Sequence, residues 1–346
     1  MSSHKQNRRE FLKPGKGNGI PRDIQLIKVG RPAMGSTFEI LFPSEQRSRI
    51  QATHRALDEI RRLESIMTVF REESSLSLVN REAAKVPVGV EEELFEILQL
   101  SREISDLTSG AFDITSGVLS RCWGFRERKG SVPSEDAIEE CLSQMGWRFL
   151  DLDLGKRTVA FGLPGLELNL GSIGKGFALD RAGVMLQNAG FDTALLHAGH
   201  SSVLGLGDAV YSGGGWKVAI RHPVDRDMNL FNVSLRNQAL GTSGSGEQFF
   251  EQDGRLFGHI IDPRSGRPAD RYLSATSVAP TAAVADAMAT AFFVMSPDAI
   301  KALCRDNEEI GAIVVPRSPQ GEAGDPLVFG IACDCVDTRE ISGGEH

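Results

Sequence analysis

The order of helical and strand patterns along the chain constrains its fold more than any other feature of the sequence. Apolar residues recur at helical spacing over residues 47–67 and again over residues 91–108. Short strand-like segments dominate later, among them Trp216–Arg221 and residues 231–235, which read as an antiparallel pair. Helices and strands mix without the strict alternation that a parallel sheet requires. The sequence therefore predicts the α+β class, with mixed or antiparallel sheets and packed helices.

Shorter segments complete this prediction. Strands are predicted at residues 24–29, 38–42, 149–152, 158–161, 166–170, 193–206, 239–243, 310–315 and 328–332. Helices are predicted at residues 136–145, with Ser134 as the cap, and at 177–189, 282–295 and 297–304. The sequence has no internal repeat and no low-complexity linker. We therefore expect one domain over residues 24–340, preceded by a flexible segment at residues 1–23.

Composition excludes several classes of protein. The chain has 346 residues, of which 41% are hydrophobic, so a large core needs no disulfide or structural metal. A formal net charge of −8 argues against a nucleic-acid partner. The five cysteines are odd in number and scattered, which does not describe a disulfide framework. No segment approaches the ~20 apolar residues of a membrane span.

The N-terminus allows two interpretations. Arg8-Arg9 followed by Phe11-Leu12 resembles a twin-arginine export motif. A polar stretch at residues 14–19 then stands where an export signal carries apolar residues, which instead favours a flexible basic tail. A functional signal would direct the protein to the cell envelope or periplasm, and a non-functional one would leave it in the cytoplasm.

A glycine-rich segment joins a predicted strand to a predicted helix. It reads Asn169-Leu170-Gly171-Ser172-Ile173-Gly174-Lys175-Gly176. Three glycines let the backbone approach a ligand, and a helix N-terminus favours phosphate there. The spacing fits neither a Walker loop nor a dinucleotide-binding fingerprint, so a purely structural turn is the alternative.

A carboxylate and a hydroxyl share one face of a predicted helix. Asp286 and Thr290 are four residues apart among small side chains. Both are hard oxygen ligands of the kind that Mg²⁺ prefers. The alternative is an aspartate near a helix N-terminus that interacts only with the helix dipole.

Three further segments contain candidate functional residues. His259 lies at a strand end before the turn Asp262-Pro263, a position that suits a general base, although a lone histidine is more often structural. Met34-Gly35-Ser36 stands between two strands, and Ala111-Phe112-Asp113 follows a helix. Either of these last two could be ordinary turn chemistry.

Taken together and in order, these segments resemble one family. Seven segments follow one another with the spacing of the ApbE family. They are Met34-Gly35-Ser36, Met67-Thr68-Val69-Phe70, Ala111-Phe112-Asp113, the glycine-rich segment, Thr242-Ser243-Gly244, His259-Ile260-Ile261-Asp262-Pro263 and Asp286 through Thr290. These are FAD:protein FMN transferases, and the resemblance runs from about residue 31 to residue 295.

The resemblance implies a fold of two lobes around an FAD cleft, with Mg²⁺ near the pyrophosphate. The residues that it places around FAD are Met34, Gly35, Phe70, Ala111, Phe112, Asp113, Asn169, Lys175, Ser243, His259 and Ile260. The metal ligands that it implies are the backbone carbonyl of Ser172 and the side chains of Asp286 and Thr290.

The implied reaction transfers FMN from FAD to a threonine or serine hydroxyl of an acceptor protein, through a phosphoester bond, with release of AMP. His259 is the candidate proton acceptor, and Asp286 could orient the nucleophile while it holds the metal. The acceptor is expected to carry a Ser/Asp-Gly-Ala-Thr/Ser-type segment.

Two departures from the family pattern keep other functions open. Asn169 stands where relatives commonly carry an acidic residue, and His200 stands within a segment where many have Gly-Gly-Asp. The alternatives are an FAD pyrophosphatase that produces FMN and AMP, and a flavin-binding protein without catalytic activity.

Overall fold

The computed structural model describes residues 25–126, 128–210, 214–225, 227–246, 248–318, 320–331 and 336–337. The segment expected to be flexible, residues 1–23, lies outside this part of the chain, as do Cys333 and Cys335. Among the described residues, no helix combines the length and the apolar character that crossing a bilayer requires.

An antiparallel sheet of eight strands forms the centre of the structure. In spatial order its strands are β1 (Leu26–Ala33), β2 (Ser36–Pro43), β6 (Ala194–Ala198), β7 (Ser202–Leu206), β10 (Gln238–Gly244), β15 (Tyr272–Ala279), β16 (Gly311–Pro316) and β17 (Leu327–Phe329). Every neighbouring pair is antiparallel. Successive strands therefore begin at alternate ends of the sheet.

Helices cover one face of this sheet. The α-helices are α1 (Ile50–Met67), α2 (Ser75–Glu82), α3 (Glu92–Leu107), α4 (Gly117–Cys122), α5 (Glu135–Ser143), α6 (Gly174–Asn188), α7 (Ala282–Val294) and α8 (Pro297–Asp306). Phe38 and Ile40 of β2 join the same core cluster as Leu57 of α1 and Phe292 of α7. This cluster is the main hydrophobic core.

A small sheet covers the opposite face. Its strands are β8 (Trp216–Arg221), β9 (Asn229–Leu235) and β18 (Val336–Asp337), in the order β18-β9-β8. Trp216 and Val233 pack with Ile313 and Val315 of β16 in a second core cluster, whereas Val314 faces the helices. The main sheet is therefore buried on both faces, which explains why several of its strands are continuously apolar.

Smaller elements border the helical side. A three-stranded sheet has the order β3-β5-β4, with β3 (Val88–Gly89), β4 (Leu150–Asp153) and β5 (Thr158–Phe161). Two hairpins follow one another, β11 (Phe249–Gln252) with β12 (Arg255–Gly258), and β13 (Ile261–Asp262) with β14 (Arg267–Pro268). Trp123, Phe125 and Ile138 form a third core cluster against the first of these hairpins.

The predicted α+β class is confirmed, and the long helices lie within a few residues of the predicted bounds. The strand predicted at residues 166–170 is wrong, because this backbone makes a single bridge, from Glu167 to Ser116, and otherwise bonds to loops. Helix α6 begins at Gly174, three residues before the predicted start, so Lys175 lies in a helix. Helix α2 was not predicted; its cap is Ser74, whose hydroxyl accepts the N–H of Ser77.

Candidate functional site

The candidate site residues gather at one end of the eight-stranded sheet, where β2 begins. The turn between β1 and β2 lies at this end. Because neighbouring strands are antiparallel, β6 and β10 end here, while β7 and β15 begin here. Ser202 is the first residue of β7, and Ser243 is the penultimate residue of β10. His259 lies in the connection between β10 and β15. The topology therefore brings together segments that are far apart in sequence.

The turn between β1 and β2 consists of Met34 and Gly35 alone. Both residues have positive φ, 49° and 67°, which is the geometry of a tight two-residue hairpin. Positive φ is costly for methionine. The Met34 N–H donates to Oε1 of Glu64 in α1 at 2.8 Å, which holds the strained residue in place. A strained, anchored non-glycine turn at this end of the sheet supports its assignment to the site.

Helices α6 and α7 each cap the N-terminus of the other. Asp286 of α7 accepts the N–H of Gly176, in the first turn of α6, at 2.8 Å. Asp180 of α6 accepts the N–H groups of Ala282 and Ala283, at the start of α7, at 2.7 and 2.8 Å. Asp286 therefore interacts with the N-terminus of α6 and not with that of its own helix, which begins four residues earlier and is capped by Thr281.

Asp286 is a buried carboxylate with one engaged oxygen. Its Oδ2 accepts the N–H of Gly176 and also the hydroxyl of Ser202, at 2.9 Å. No hydrogen bond from the described residues reaches Oδ1. Burial raises the pKa of Asp286 to about 6, and the charge of Lys175 opposes that rise. A cation at Oδ1 would stabilise the ionised form in the same way as Lys175 does.

Thr290 lies one helical turn after Asp286, beside β10. Its Oγ1 is 3.0 Å from Oγ of Ser243 and 3.3 Å from the backbone carbonyl oxygen of Asp286. The close approach of helix and strand depends on Gly241, where a Cβ atom would overlap the carbonyl group of Ala285. Two hydroxyls and a carboxylate are thus presented from adjacent elements, and all three are hard oxygen donors.

The glycine-rich turn is fastened to the segment that contains Asp113. The Asn169 N–H donates to the carbonyl of Ile114 at 2.8 Å, and the Asn169 side chain accepts the N–H of Gly171 at 2.9 Å. Asn80 of α2 exchanges two hydrogen bonds with the backbone of Leu168, at 2.8 and 2.9 Å. These bonds set the path of the chain into α6.

The segment Ala111-Phe112-Asp113 presents backbone rather than side chains. Ala111 and Phe112 are both buried in the main core, so a ligand would meet them through the main chain. The Asp113 carboxylate accepts the N–H of Thr115 at 2.8 Å, and burial raises its pKa. This turn therefore offers a rigid, partly polar wall.

Open space adjoins the first residue of α6. Gly174 is buried, yet a Cβ atom added there would meet nothing within 4 Å. Ser172 and Lys175 flank it, at a helix N-terminus, where a phosphate group is favoured. The space is a cradle that a side chain would fill and that a bound group could occupy.

His259 lies between the two hairpins, as predicted for a strand end. Its Nδ1 is 3.1 Å from the backbone carbonyl oxygen of Gln248. Because a carbonyl oxygen only accepts, Nδ1 carries the hydrogen of this bond. Ile260 is buried in the main core, and its carbonyl accepts the N–H of Ala269 at 2.8 Å. The ring is therefore held in one orientation by the backbone.

Phe70 borders a charged cleft. It is 80% exposed and follows α1 on a loop. The cleft, of about 510 Å³, is also lined by Arg81, Arg121, Arg126 and Glu167. Arg126 and Arg121 both pair with the buried Glu167 carboxylate. The cleft wall at residues 165–167 continues into Leu168 and Asn169, so this cleft adjoins the glycine-rich turn.

Several residues of the site were not found from the sequence. Ser202 and Glu64 hold the candidate residues Asp286 and Met34 through the hydrogen bonds given above, and Asp180 holds the start of α7, the helix that carries Asp286. Asp180 stands one helical turn after Gly176, so its place on the turn-facing side of α6 was a usable signal. Ser202 lies two residues after the exposed His200, and nothing in its local sequence marks it.

Comparisons with known proteins agree with this geometry. Residues 34–314 match the profile of the ApbE family. The chain is 33% identical to the FAD:protein FMN transferase of Treponema pallidum, over 76% of this chain and 77% of that one.

Solved structures give the same result. The ApbE protein from Thermotoga maritima is similar with a TM-score of 0.77 and 28% identity, over 87% of this chain and 96% of that one. The flavin transferase ApbE from Vibrio cholerae is similar with a TM-score of 0.74 and 25% identity, over 88% and 97%. A match over most of the chain, together with the shared fold, shows that this chain belongs to the ApbE family.

Proposed function

We propose that this protein transfers FMN from FAD to a threonine or serine hydroxyl of an acceptor protein, through a phosphoester bond, with release of AMP. The observation that supports this proposal most directly is the burial and hydrogen bonding of the Asp286 carboxylate. This carboxylate is buried, its Oδ2 is held by two donors, and its Oδ1 receives no hydrogen bond from the described residues. The names of the curated relatives support the flavin chemistry.

The donors beside this carboxylate fit Mg²⁺. Asp286 would supply the charged ligand, Thr290 the hydroxyl and Ser172 the backbone carbonyl, a set of hard oxygens that leaves places for water and phosphate. No trio of histidine, cysteine or acidic side chains is clustered in the described part of the chain, so a metal that needs several such ligands fits less well. When bound, Mg²⁺ neutralises charge on a pyrophosphate and so eases cleavage.

The surrounding residues would hold FAD. The cradle beside Gly174 lies at the N-terminus of α6, with Lys175 next to it, and suits the pyrophosphate. The remaining contacts come from the Met34-Gly35 turn, the backbone of residues 111–113, Asn169, Ser243 and Ile260. Phe70 offers an exposed ring face for stacking.

His259 is the proposed proton acceptor. It would take the proton of the acceptor hydroxyl, and the contact between its Nδ1 and the Gln248 carbonyl orients the ring. The hydroxyl oxygen then attacks the phosphorus on the FMN side, the bond to the AMP phosphate breaks, and AMP leaves. Asp286, held by Gly176 and Ser202, keeps the charged end of the site fixed during this step.

The acceptor and the compartment are also proposals. We propose an acceptor with a Ser/Asp-Gly-Ala-Thr/Ser-type segment, on the family resemblance. The twin-arginine-like start supports a location in the cell envelope or periplasm, and a cytoplasmic location follows if that signal is not functional.

One incubation separates the proposed reaction from its alternatives. The purified chain is mixed with FAD, Mg²⁺ and a protein that carries the acceptor segment, with a threonine-to-valine version of that segment as the matched control. We expect flavin fluorescence on the acceptor after denaturing electrophoresis, together with AMP release. AMP without a labelled acceptor would identify an FAD pyrophosphatase, and neither product would leave flavin binding alone.

Asp286→Ala tests the metal assignment. We expect the rate of AMP release to fall by about 10²–10³-fold, the size typical of removing a group that stabilises transition-state charge. Asp298→Asn is the matched control, because this aspartate is exposed on α8 and should keep full activity. Full activity of Asp286→Ala in Mg²⁺ would rule out this residue as the metal ligand.

A further inference from the structure

Two cysteines face each other where α4 packs against α5. The Cys122 thiol lies 3.9 Å from the carbonyl oxygen of Ala137, which is four residues before Cys141. The Cys141 thiol lies 3.9 Å from the carbonyl oxygen of Val118, which is four residues before Cys122. This reciprocal pattern places both sulfur atoms at the same level between the two helices.

The two residues are also equally accessible. Each thiol lies beside the helix that carries the other cysteine, and both residues are only partly buried. By contrast Cys304, the other described cysteine, is buried in the main core. A bond between Cys122 and Cys141 therefore needs the two side chains to turn toward each other, and the partly exposed pair is open to a reagent from solution.

We propose that Cys122 and Cys141 are a modification site that forms an intramolecular disulfide on reaction with a disulfide oxidant, such as oxidised glutathione. The Cys122 thiolate attacks one sulfur of the oxidant and releases one thiol. The Cys141 sulfur, after losing its proton to solvent, displaces the second thiol from Cys122. Two protein thiols are oxidised, and one oxidant disulfide is reduced to two thiols.

Burial assigns the order of these two steps. It raises the pKa of the Cys141 thiol to about 11, so this thiol is protonated at neutral pH. Because the thiolate is the nucleophile, Cys141 is poorly suited to the first attack and acts as the resolving cysteine. Formation of the bond should therefore become faster as pH rises.

The disulfide would close a segment that reaches the cleft beside Phe70. Between the two cysteines lies Arg126, which pairs with Glu167 and also donates to the carbonyl of Val69 at 3.2 Å. Trp123 in the same segment is buried in the third core cluster. Closing this loop restricts the unfolded chain and so stabilises the folded form.

Peptide mapping tests the proposal. The full chain is treated with oxidised glutathione, alkylated, and digested with trypsin without reductant. We expect residues 122–126 joined to residues 130–148, at a mass lower than their sum by two hydrogen atoms, and separated again by a reductant. The oxidised protein should also melt at a higher temperature than the reduced protein.

Matched variants identify the cysteines. Cys122→Ser and Cys141→Ser should each abolish the linked peptide and the redox dependence of the melting temperature. The double variant Cys333→Ser/Cys335→Ser should retain both. Free thiols at both positions in excess oxidant, a persistent glutathione adduct on either, or a link to another cysteine would each overturn the proposal.

Discussion

Ser202 and Ser277 are both fully buried serines in the main sheet, yet their hydroxyls have opposite environments. Ser202 donates to Oδ2 of Asp286 at 2.9 Å. The Ser277 hydroxyl has no hydrogen-bond partner among the described residues. Removing a hydroxyl is costly when it leaves a buried charged acceptor less satisfied, and nearly neutral when the hydroxyl has no partner.

Ser202→Ala should therefore lower the free energy of unfolding by about 1–3 kcal/mol, because Asp286 loses one of its two donors. It should also weaken Mg²⁺ binding, since the carboxylate is less firmly oriented. Urea denaturation measures the first effect and titration calorimetry the second. Ser277→Ala is the matched control and should be neutral or slightly stabilising. Equal losses in both variants would contradict the assigned role of Ser202.

Asp180 makes the stability of the protein depend on pH. Burial raises its pKa to about 7, against about 3.9 in an unfolded chain. Folding therefore favours the protonated form. This contribution is complete below about pH 4 and is lost as pH rises through about 7. Burial of Asp286, with its pKa raised to about 6, acts in the same direction.

The free energy of unfolding should thus decrease between about pH 4 and about pH 7 and level off above, measured by urea denaturation with a chelator present. Asp180→Asn removes one titrating group and should make this decrease smaller. The variant should also lose about 1–2 kcal/mol at pH 6, because an amide cannot accept from both N–H groups of α7 as the carboxyl group does. A pH dependence identical to that of the unchanged protein would show that Asp180 is not responsible.

At this scale the sequence marked the candidate site residues more clearly than the residues that hold them. Asp286 and Thr290 became candidate metal ligands because helical spacing places them on one face, and Ser243 became a candidate FAD contact through the family resemblance. Ser202 and Glu64 reach their partners across 84 and 30 residues of sequence, so only the tertiary structure shows them.

Among the elements, the crossing of α6 and α7 depends on one glycine. A Cβ atom at Gly176 would overlap the carbonyl oxygen of Ala282, which is rigid backbone. Gly176→Ala should therefore force the helices apart and lower the free energy of unfolding by about 1–3 kcal/mol or more. Because Gly176 also donates to Asp286, FAD-dependent activity should fall with it. Urea denaturation and the AMP-release assay measure the two effects.

Gly174→Ala is the matched control, two residues earlier in the same helix. Nothing lies within 4 Å of a Cβ atom there, and its stability should stay within about 1 kcal/mol of the unchanged protein. The new methyl group should nevertheless fill the proposed cradle and weaken FAD binding. A Gly174→Ala protein with normal FAD affinity would place the pyrophosphate elsewhere.

The elements themselves were predicted unevenly, for a physical reason. Helices α1 and α3 bury one face and keep a clear period, so they were found. The main sheet is covered on both faces, and β15 is buried throughout, so its strands show little alternation. Helix α4 is six residues long, too short to show a clear period, and was not predicted.

For the whole molecule, ligand binding should appear as stability. If FAD and Mg²⁺ occupy the folded site alone, then FAD at 100 times its dissociation constant should add about 2.7 kcal/mol. We expect a rise in melting temperature with FAD that is larger in Mg²⁺ and diminished by a chelator. In Asp286→Ala the metal-dependent part of the rise should be absent. A rise in melting temperature that is equal with and without Mg²⁺ would argue against a metal beside the pyrophosphate.

The overall architecture was predictable as a class but not as a topology. Mixed helices and strands gave α+β, whereas the spatial order of eight antiparallel strands depends on pairings such as β2 with β6, which local patterns do not encode. The position of the candidate site follows from that order, because the Met34-Gly35 turn, Ser202 of β7 and Ser243 of β10 come to the same end of the sheet.

The exchange of caps between α6 and α7 ties catalysis to folding. Thr281 caps one N–H group of α7, and the other helix accepts further N–H groups at the start of each, so each helix is stabilised by docking on the other. The pair should open and close as one cooperative unit in hydrogen exchange. The Asp286 carboxylate, which would bind the metal, also accepts one of the hydrogen bonds that join the two helices. A partly opened molecule would therefore lack the site at which the reaction begins.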